Sequence, residues 1–234
     1  MTWLIGCVPV NDHRTLERAG TAAVWLLIVV GVTASLSRYL LPAALHATIA
    51  RPLYSDFARD QLPVLAAHPV PEMLHRVGGS IYLLLGATQF MPRLRARHLT
   101  LHRWCGRVFL ALTVLAGGTG VFMALAFPYD AGETPPTLVF GAIMVVSGIM
   151  AYVRARRREI ARHREWVMRC FAVGLGISTI RLIFVGLLYT TSLSMQTKYV
   201  VSFWLGWTLT LLAAEVWIRV SRAPRAAPAP ALVV

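Results

Sequence analysis

Three His-Arg pairs are the residues of this sequence whose types and spacing most suggest chemistry. His75-Arg76 and His102-Arg103 both occur in the pattern His-Arg-x-x-Gly, and His163-Arg164 is a third pair. A glycine one turn after a histidine leaves room beside the imidazole for a flat cofactor. The pattern therefore fits ligation of a b-type haem, but a His-Arg pair also suits a helix end that faces lipid headgroups.

Antiparallel neighbouring helices restrict which histidines could share one iron. His102 and His163 both lie at the same end of their segments, so together they could supply two axial imidazoles. His75 lies at the opposite end, where only His46 or His68 could pair with it. One haem at each end is therefore geometrically permitted.

A second kind of chemistry, anion binding, is suggested by Arg181. It lies about two-thirds of the way through an apolar segment. An unpaired guanidinium in hydrocarbon costs at least ~2.5–3.5 kcal/mol, so Arg181 requires a partner. Its options are Glu72, backbone carbonyl groups or an anionic ligand. We expect a polar cavity around Arg181, with Tyr82 or Glu72 near it.

Other charged residues in apolar segments have alternative partners. Glu215 differs in depth from Arg181 and better matches Arg107 or Arg169. Glu165 precedes Arg169 by four residues, a spacing that allows an ion pair along one helix.

Polar and small side chains recur at helical spacing on one face of four segments. The faces comprise His75, Gly79, Tyr82, Gly86 and Gln89; His102, Gly106, Thr113 and Gly120; His163, Cys170, Gly174 and Arg181; and Trp204, Thr208 and Glu215. Such faces either line a ligand cavity or allow close helix packing. Either interpretation places these four segments at the centre and the first and fourth apolar segments at the periphery.

Six apolar segments must position these residues, and each is long enough to cross a bilayer. They are residues 20–41, 72–91, 103–127, 136–153, 165–190 and 198–220. The sequence therefore predicts an all-α, polytopic bundle of six transmembrane helices within one membrane domain, residues 1–221. The Pro/Ala-rich tail, 222–234, is predicted to be disordered.

Loop charges predict the orientation of this bundle. The second loop carries Arg93, Arg95 and Arg97, and the fourth carries six arginines between 154 and 164. The third loop has Asp130 and Glu133, which we expect to be solvated, and no basic residue. Because basic loops stay in the cytoplasm, both termini are predicted to be cytoplasmic.

Composition and motifs limit which functions the sequence favours. The chain is 57% hydrophobic and only 14% charged, and its net charge of +13 is concentrated in loops beside apolar segments. This pattern does not favour nucleic acid as a partner. The three cysteines form no metal-binding spacing, and no known catalytic motif is present, so the sequence does not decide whether the protein is an enzyme.

Three stretches together resemble an uncharacterised bacterial family of integral membrane proteins, domain of unknown function 2306. They are HRVGGSIYLLLGATQF, RARHLTLHRWCGRVF and RHREWVMRCFAVGLGISTIRL, and the resemblance covers roughly 72–215. It implies a multi-pass protein of the bacterial inner membrane and supplies no activity. The recurring positions of the family match residues that are largely those of the helical faces. They are His75, Gly79, Gln89, His102, Gly106, Arg107, His163, Arg169 and Arg181.

Three functions remain open at this point. The first is a redox protein that binds haem b through His102, His163 and His75. The second is a transporter or a module that binds a lipid or a small anionic molecule in an interior lined by polar side chains. Its expected ligand-binding residues are His75, Gly79, Tyr82, Gln89, Arg107, Arg169, Arg181 and Glu215. The third is a structural or assembly role.

Overall fold

The computed structural model describes residues 10–41, 63–128 and 131–222. His46, most of the first loop and the tail from residue 223 onward lie outside the described residues, so the expectations about them stay predictions.

The described chain is helical. Its long helices are α1 (Val10–Leu40), α2 (Pro69–Gln89), α4 (Leu99–Ala126), α5 (Thr134–Arg156), α6 (Ile160–Thr190) and α7 (Met195–Val220). The short helix α3 (Pro92–Arg97) joins α2 to α4, and a 3-10 turn (Ala131–Glu133) precedes α5. The predicted all-α fold class is confirmed.

Helix starts follow local sequence signals. Prolines occupy the first positions of α2, α3 and α5, where a missing N–H costs no hydrogen bond. Ser194 precedes α7, and its side chain accepts a hydrogen bond from the Thr197 backbone N–H at 3.2 Å. These signals bring each polar side chain to a defined depth in the bundle.

Long helices that follow one another in the sequence pack antiparallel in a bundle. α2, α4, α5 and α6 surround a common centre, α7 packs along α6, and α1 lies against α2 and α6. Tyr82, Phe109, Cys170 and Phe171 are buried at the centre, where the Tyr82 and Phe109 rings stack with centroids 4.5 Å apart. The prediction that α5 is peripheral is wrong, because α5 packs between α4 and α6.

Close contact between α6 and α7 depends on glycine. A Cβ at Gly206 would lie 2.7 Å from the backbone nitrogen of Ile180, so the two helix backbones touch there. Small residues allow this approach in membrane bundles, where packing replaces the hydrophobic effect between helices.

Five helical segments of the described chain are long and apolar enough to cross a membrane: 17–37, 99–126, 131–156, 160–190 and 195–220. They correspond to five of the six predicted spans. The sixth, predicted at 72–91, forms α2, which has sufficient length but is less apolar than the others.

Candidate functional site

Ionisable side chains lie together at one end of the bundle, opposite the arginine-rich loops. Most of them come from α2, α6 and α7. We call this group the polar cluster. It consists of Ser35, Glu72, His75, Arg76, Glu133, Arg181, Lys198 and Tyr199. Glu72, Glu133 and Lys198 are buried, with 3%, 7% and 7% of their surface exposed. Charged groups are rarely buried in this way unless they are paired or have a functional role.

Arg181 reaches the first helix from α6. Its guanidinium donates to the backbone carbonyl oxygen of Gly31 and to the hydroxyl of Ser35, each at 3.4 Å. Both distances are long for hydrogen bonds. Backbone carbonyls were among the expected partners, but their position on α1 was not expected.

His75 faces the bundle interior from α2. Its Nδ1–H donates to the carbonyl oxygen of Ala116 on α4 at 2.8 Å, and a Cβ at Gly120 would lie 2.9 Å from the ring. Because a carbonyl can only accept, this bond fixes the proton on Nδ1 and leaves Nε2 with a free lone pair in the neutral ring. His75 also interacts electrostatically with Arg76 and Arg181.

Open space adjoins Gly79, one turn beyond His75. An ideal Cβ at Gly79 would meet no described atom within 4 Å, apart from its own helix backbone and chain neighbours. His75 and Tyr82, on the same face of α2, both contact other helices inside the bundle. Gly79 therefore lies on the interior face of α2, and the described side chains leave space beside it for an added methyl group.

Three members of the polar cluster, Glu133, Lys198 and Tyr199, were not among the predicted site residues. Glu133 was expected to be solvated, and that expectation is wrong, because the 3-10 turn folds over the bundle end and buries it. The Tyr199 hydroxyl hydrogen-bonds the Glu133 carboxylate and lies within electrostatic range of Arg181 and Arg76. Glu72 pairs with Arg76 at 3.0 Å.

The centre of the bundle is closed. Tyr82 donates its hydroxyl to the backbone carbonyl oxygen of Cys170 at 2.7 Å, and the Thr113 hydroxyl lies 3.6 Å from the Cys170 sulfur. Side chains fill the space beside two glycines of the predicted faces, with Phe171 at Gly86 and Tyr82 at Gly174. The polar faces thus meet at the cluster end and are separated from the opposite end by packed aromatic rings.

The opposite end, which we call the basic end, carries the arginine-rich loops and the other two histidines. His163 donates from Nδ1 to the carbonyl oxygen of Ala151 at 2.9 Å. Nδ1 of His102 is buried and has no hydrogen-bond partner among the described residues, and the two imidazoles interact electrostatically. Gln89 occupies the space beside Gly106, with its Oε1 3.0 Å from an ideal Cβ there. One nitrogen of each imidazole is therefore available to ligate a metal. The side chain of Gln89 would have to move before a haem could lie beside Gly106.

Other predicted residues of the basic end form ion pairs. Arg169 binds Glu215 through two hydrogen bonds, from Nε to Oε1 and from Nη2 to Oε2, the latter at 3.1 Å. Arg169 was one of the two partners expected for Glu215. The predicted pairing of Glu165 with Arg169 is wrong, because Glu165 instead binds Arg222 at 2.9 and 3.0 Å. The Glu165 carboxylate raises the pKa of the Arg222 guanidinium.

Arg107 lies away from both groups. Its side chain is exposed on α4, and its guanidinium carbon lies 4.9 Å from the centre of the Trp104 ring. His68, a possible partner of His75, stacks on Phe127 with ring centroids 4.6 Å apart. The structure therefore brings His75 and Arg181 together in one cluster and His102 and His163 together at the other end.

Comparison with known proteins found one family. The family model described as "Predicted membrane protein (DUF2306)" matches residues 72–218, which include α2 and most of α7. No curated protein and no solved structure matches the chain. Because the matched residues make up more than half of the sequence, this helical membrane protein belongs to the DUF2306 family.

Proposed function

We propose that this protein binds a small anionic molecule in the polar cluster, as a transporter or as a membrane-embedded binding protein. The observation that carries the proposal is the cluster itself, in which α2, the 3-10 turn, α6 and α7 bring ionisable groups to one end of an apolar bundle. Ionisable groups in such segments mark substrate or ion pathways by default, because burying them in hydrocarbon is costly.

The charges of the cluster favour an anion. Its basic members are Arg76, Arg181 and Lys198, and its acidic members are Glu72 and Glu133. With all five ionised and His75 neutral, the three positive and two negative charges leave a formal excess of one positive charge. The Arg181 guanidinium can hold a carboxylate or phosphate through two parallel hydrogen bonds.

The space beside Gly79 supports a ligand position on this face of α2. It lies one turn from His75, whose free Nε2 can accept a hydrogen bond from a hydroxyl or a protonated acid. The packed aromatic centre beneath it prevents passage to the basic end in this conformation. A transporter would therefore have to open this centre, whereas a binding protein would not.

Six spans with both termini in the cytoplasm are part of the proposal. The first turns of α2 lie beside Gly120 of α4, and its last turn lies beside Gly106. α2 therefore extends along most of α4, which is apolar enough to cross the membrane. With the arginine-rich loops in the cytoplasm of a bacterial cell, the polar cluster opens to the outer side of the inner membrane.

Thermal unfolding of the purified protein in detergent tests the proposal. Sodium acetate, sulfate, phosphate and pyruvate are compared with chloride at equal ionic strength. We expect at least one anion to raise the Tm of the wild type and to have no effect on Arg181→Met. The control, Arg107→Met, removes an exposed arginine outside the cluster and should keep the response. An equal response in Arg181→Met, or failure of that variant to fold, would show that Arg181 is structural.

A second candidate, electron transfer through a b-type haem, is favoured by a different observation. The hydrogen bond from His163 Nδ1 leaves its Nε2 free for a metal, and His102 has an unpartnered buried nitrogen. These two residues would hold the iron, and bound haem would supply one-electron redox chemistry. We expect a low-spin Soret band that disappears in both His102→Ala and His163→Ala. Colourless protein from haem-replete cells that takes up no haemin would eliminate this candidate.

A further inference from the structure

A groove at the basic end combines charged and apolar side chains. It has a volume of about 450 Å³ and is lined by Arg97, His98, Leu99, Thr100, Leu101 and Trp104. We call it the α3 groove, because it lies where α3 ends and α4 begins. This turn connects α2 to a helix that is apolar enough to cross the membrane, so the groove lies near a membrane–water interface.

The charge around the α3 groove is positive, and no acidic residue lies close to it in the sequence. No acidic residue occurs in the sequence between Glu72 and Asp130, whereas Arg93, Arg95, Arg97, Arg103 and Arg107 all lie in that interval. Among the described residues, none of these five arginines forms an ion pair with a carboxylate.

The other arginine-rich loop differs in this respect. Between α5 and α6, Arg154 and Arg162 both bind Glu159, at 2.8 and 3.2 Å. Basic residues are expected in both loops for topological reasons, but the loop containing α3 has no acidic residue and lies beside a groove.

The apolar wall of the α3 groove is exposed. Leu99, Leu101 and Trp104 expose 47%, 50% and 58% of their surface. The Arg107 guanidinium lies over the Trp104 ring and orients it along the helix surface. Tryptophan is typical of the interface between headgroups and acyl chains, where its ring is apolar and its N–H can bond to water or phosphate.

We propose that the α3 groove is a binding site for an anionic phospholipid. Arg97 and His98 bind the phosphate of the headgroup, and Leu99, Leu101 and Trp104 contact the upper acyl chain. The charge complementarity selects an anionic lipid over a zwitterionic one, and the apolar wall selects a lipid over free phosphate. This site is independent of the polar cluster, which lies at the other end of the bundle.

Native mass spectrometry of the full-length protein in detergent tests the site. Dioleoylphosphatidylglycerol and dioleoylphosphatidylcholine are titrated separately, and bound lipid is counted. We expect phosphatidylglycerol to bind more tightly, and Arg97→Gln to weaken its binding about fivefold, since an arginine at a membrane surface contributes on that order. Trp104→Ala should weaken the binding of both lipids.

Two controls separate a built site from general attraction. Arg162→Gln removes an exposed arginine of the other loop, and Trp204→Ala removes a partly exposed tryptophan on α7. Neither should change the affinity for phosphatidylglycerol. Three results would overturn the proposal. They are equal binding of the two lipids, a loss of phosphatidylglycerol affinity in Arg162→Gln equal to that in Arg97→Gln, and competition by glycerol-3-phosphate at the same concentration as the lipid.

Discussion

The ion pair between Arg169 and Glu215 joins α6 to α7 inside the basic end, and its removal should destabilise the bundle measurably. The perturbation is a double-mutant cycle with Arg169→Met, Glu215→Gln and the combined variant. Arg169 also lies over the Trp166 ring at 4.7 Å, and the cycle cancels that contact, because it is lost equally with and without Glu215.

The magnitude follows from burial. The side chains of Arg169 and Glu215 expose 17% and 29% of their surface, and they bind through two parallel hydrogen bonds. Removing one partner of a fully buried pair costs about 3–5 kcal/mol, whereas an exposed pair contributes about 0.2–1 kcal/mol. Because this pair is partly exposed, we expect each single variant to lose about 1–3 kcal/mol and the coupling energy to be about 1–2 kcal/mol.

The assay is unfolding by SDS in mixed micelles, followed by circular dichroism and extrapolated to zero SDS. The second interhelical pair is a matched control, since Arg222 binds Glu165 with the same bidentate geometry but exposes 59% of its side chain. Its cycle should give a smaller coupling energy. If the two cycles give equal coupling energies, burial does not determine the strength of these pairs and the reasoning is wrong.

Three further predictions concern packing and topology. Gly206→Ala should lose about 1–3 kcal/mol in the same SDS assay, because its Cβ would strike the Ile180 backbone, whereas Gly186→Ala, with no described atom near its Cβ, should be neutral or stabilising by up to about 1 kcal/mol. Tyr82→Phe should cost about 0.5–1.5 kcal/mol in that assay through loss of its hydrogen bond to Cys170. A reporter fused after Glu133 should behave as external and one after Arg158 as internal, and the reverse pattern in both would contradict the proposed orientation.

Much of the fold could be predicted, because apolar runs and helix-start prolines are local signals. The face of α2 could also be predicted from helical periodicity. His75, Tyr82 and Gly86 all contact other helices in the bundle interior. The reason is that a bilayer allows few alternatives to a helix, so the period of 3.6 residues fixes which side chains share a face.

Pairing between helices could not be predicted in the same way. Gly31 and Ser35 are spaced one turn apart on α1, and that spacing was a usable signal for the contact with Arg181. Because α1 lacks a polar face comparable to those of the four central segments, the prediction placed it at the periphery. Glu165 had a partner available at Arg169, but Arg169 binds Glu215 and Glu165 binds Arg222. Such choices depend on which helices are neighbours, and local spacing does not contain that information.

The most direct test of the central proposal is a measurement of whether water and small anions reach the interior face of α2. Gly79→Cys, in a background lacking Cys7, Cys105 and Cys170, places a thiol in the open space beside His75. The control is Gly118→Cys, whose position is exposed on α4, where lipid should cover it. The reagent is an anionic, membrane-impermeant methanethiosulfonate applied to intact cells.

We predict that this reagent modifies Gly79→Cys from outside the cell and leaves Gly118→Cys unmodified. The anion that stabilises the wild type should slow the modification, and adding Arg181→Met should also slow it, because the positive charge that attracts the reagent is lost. Folded Gly79→Cys that reacts only with a lipid-soluble maleimide would contradict the existence of an anion-accessible polar cluster.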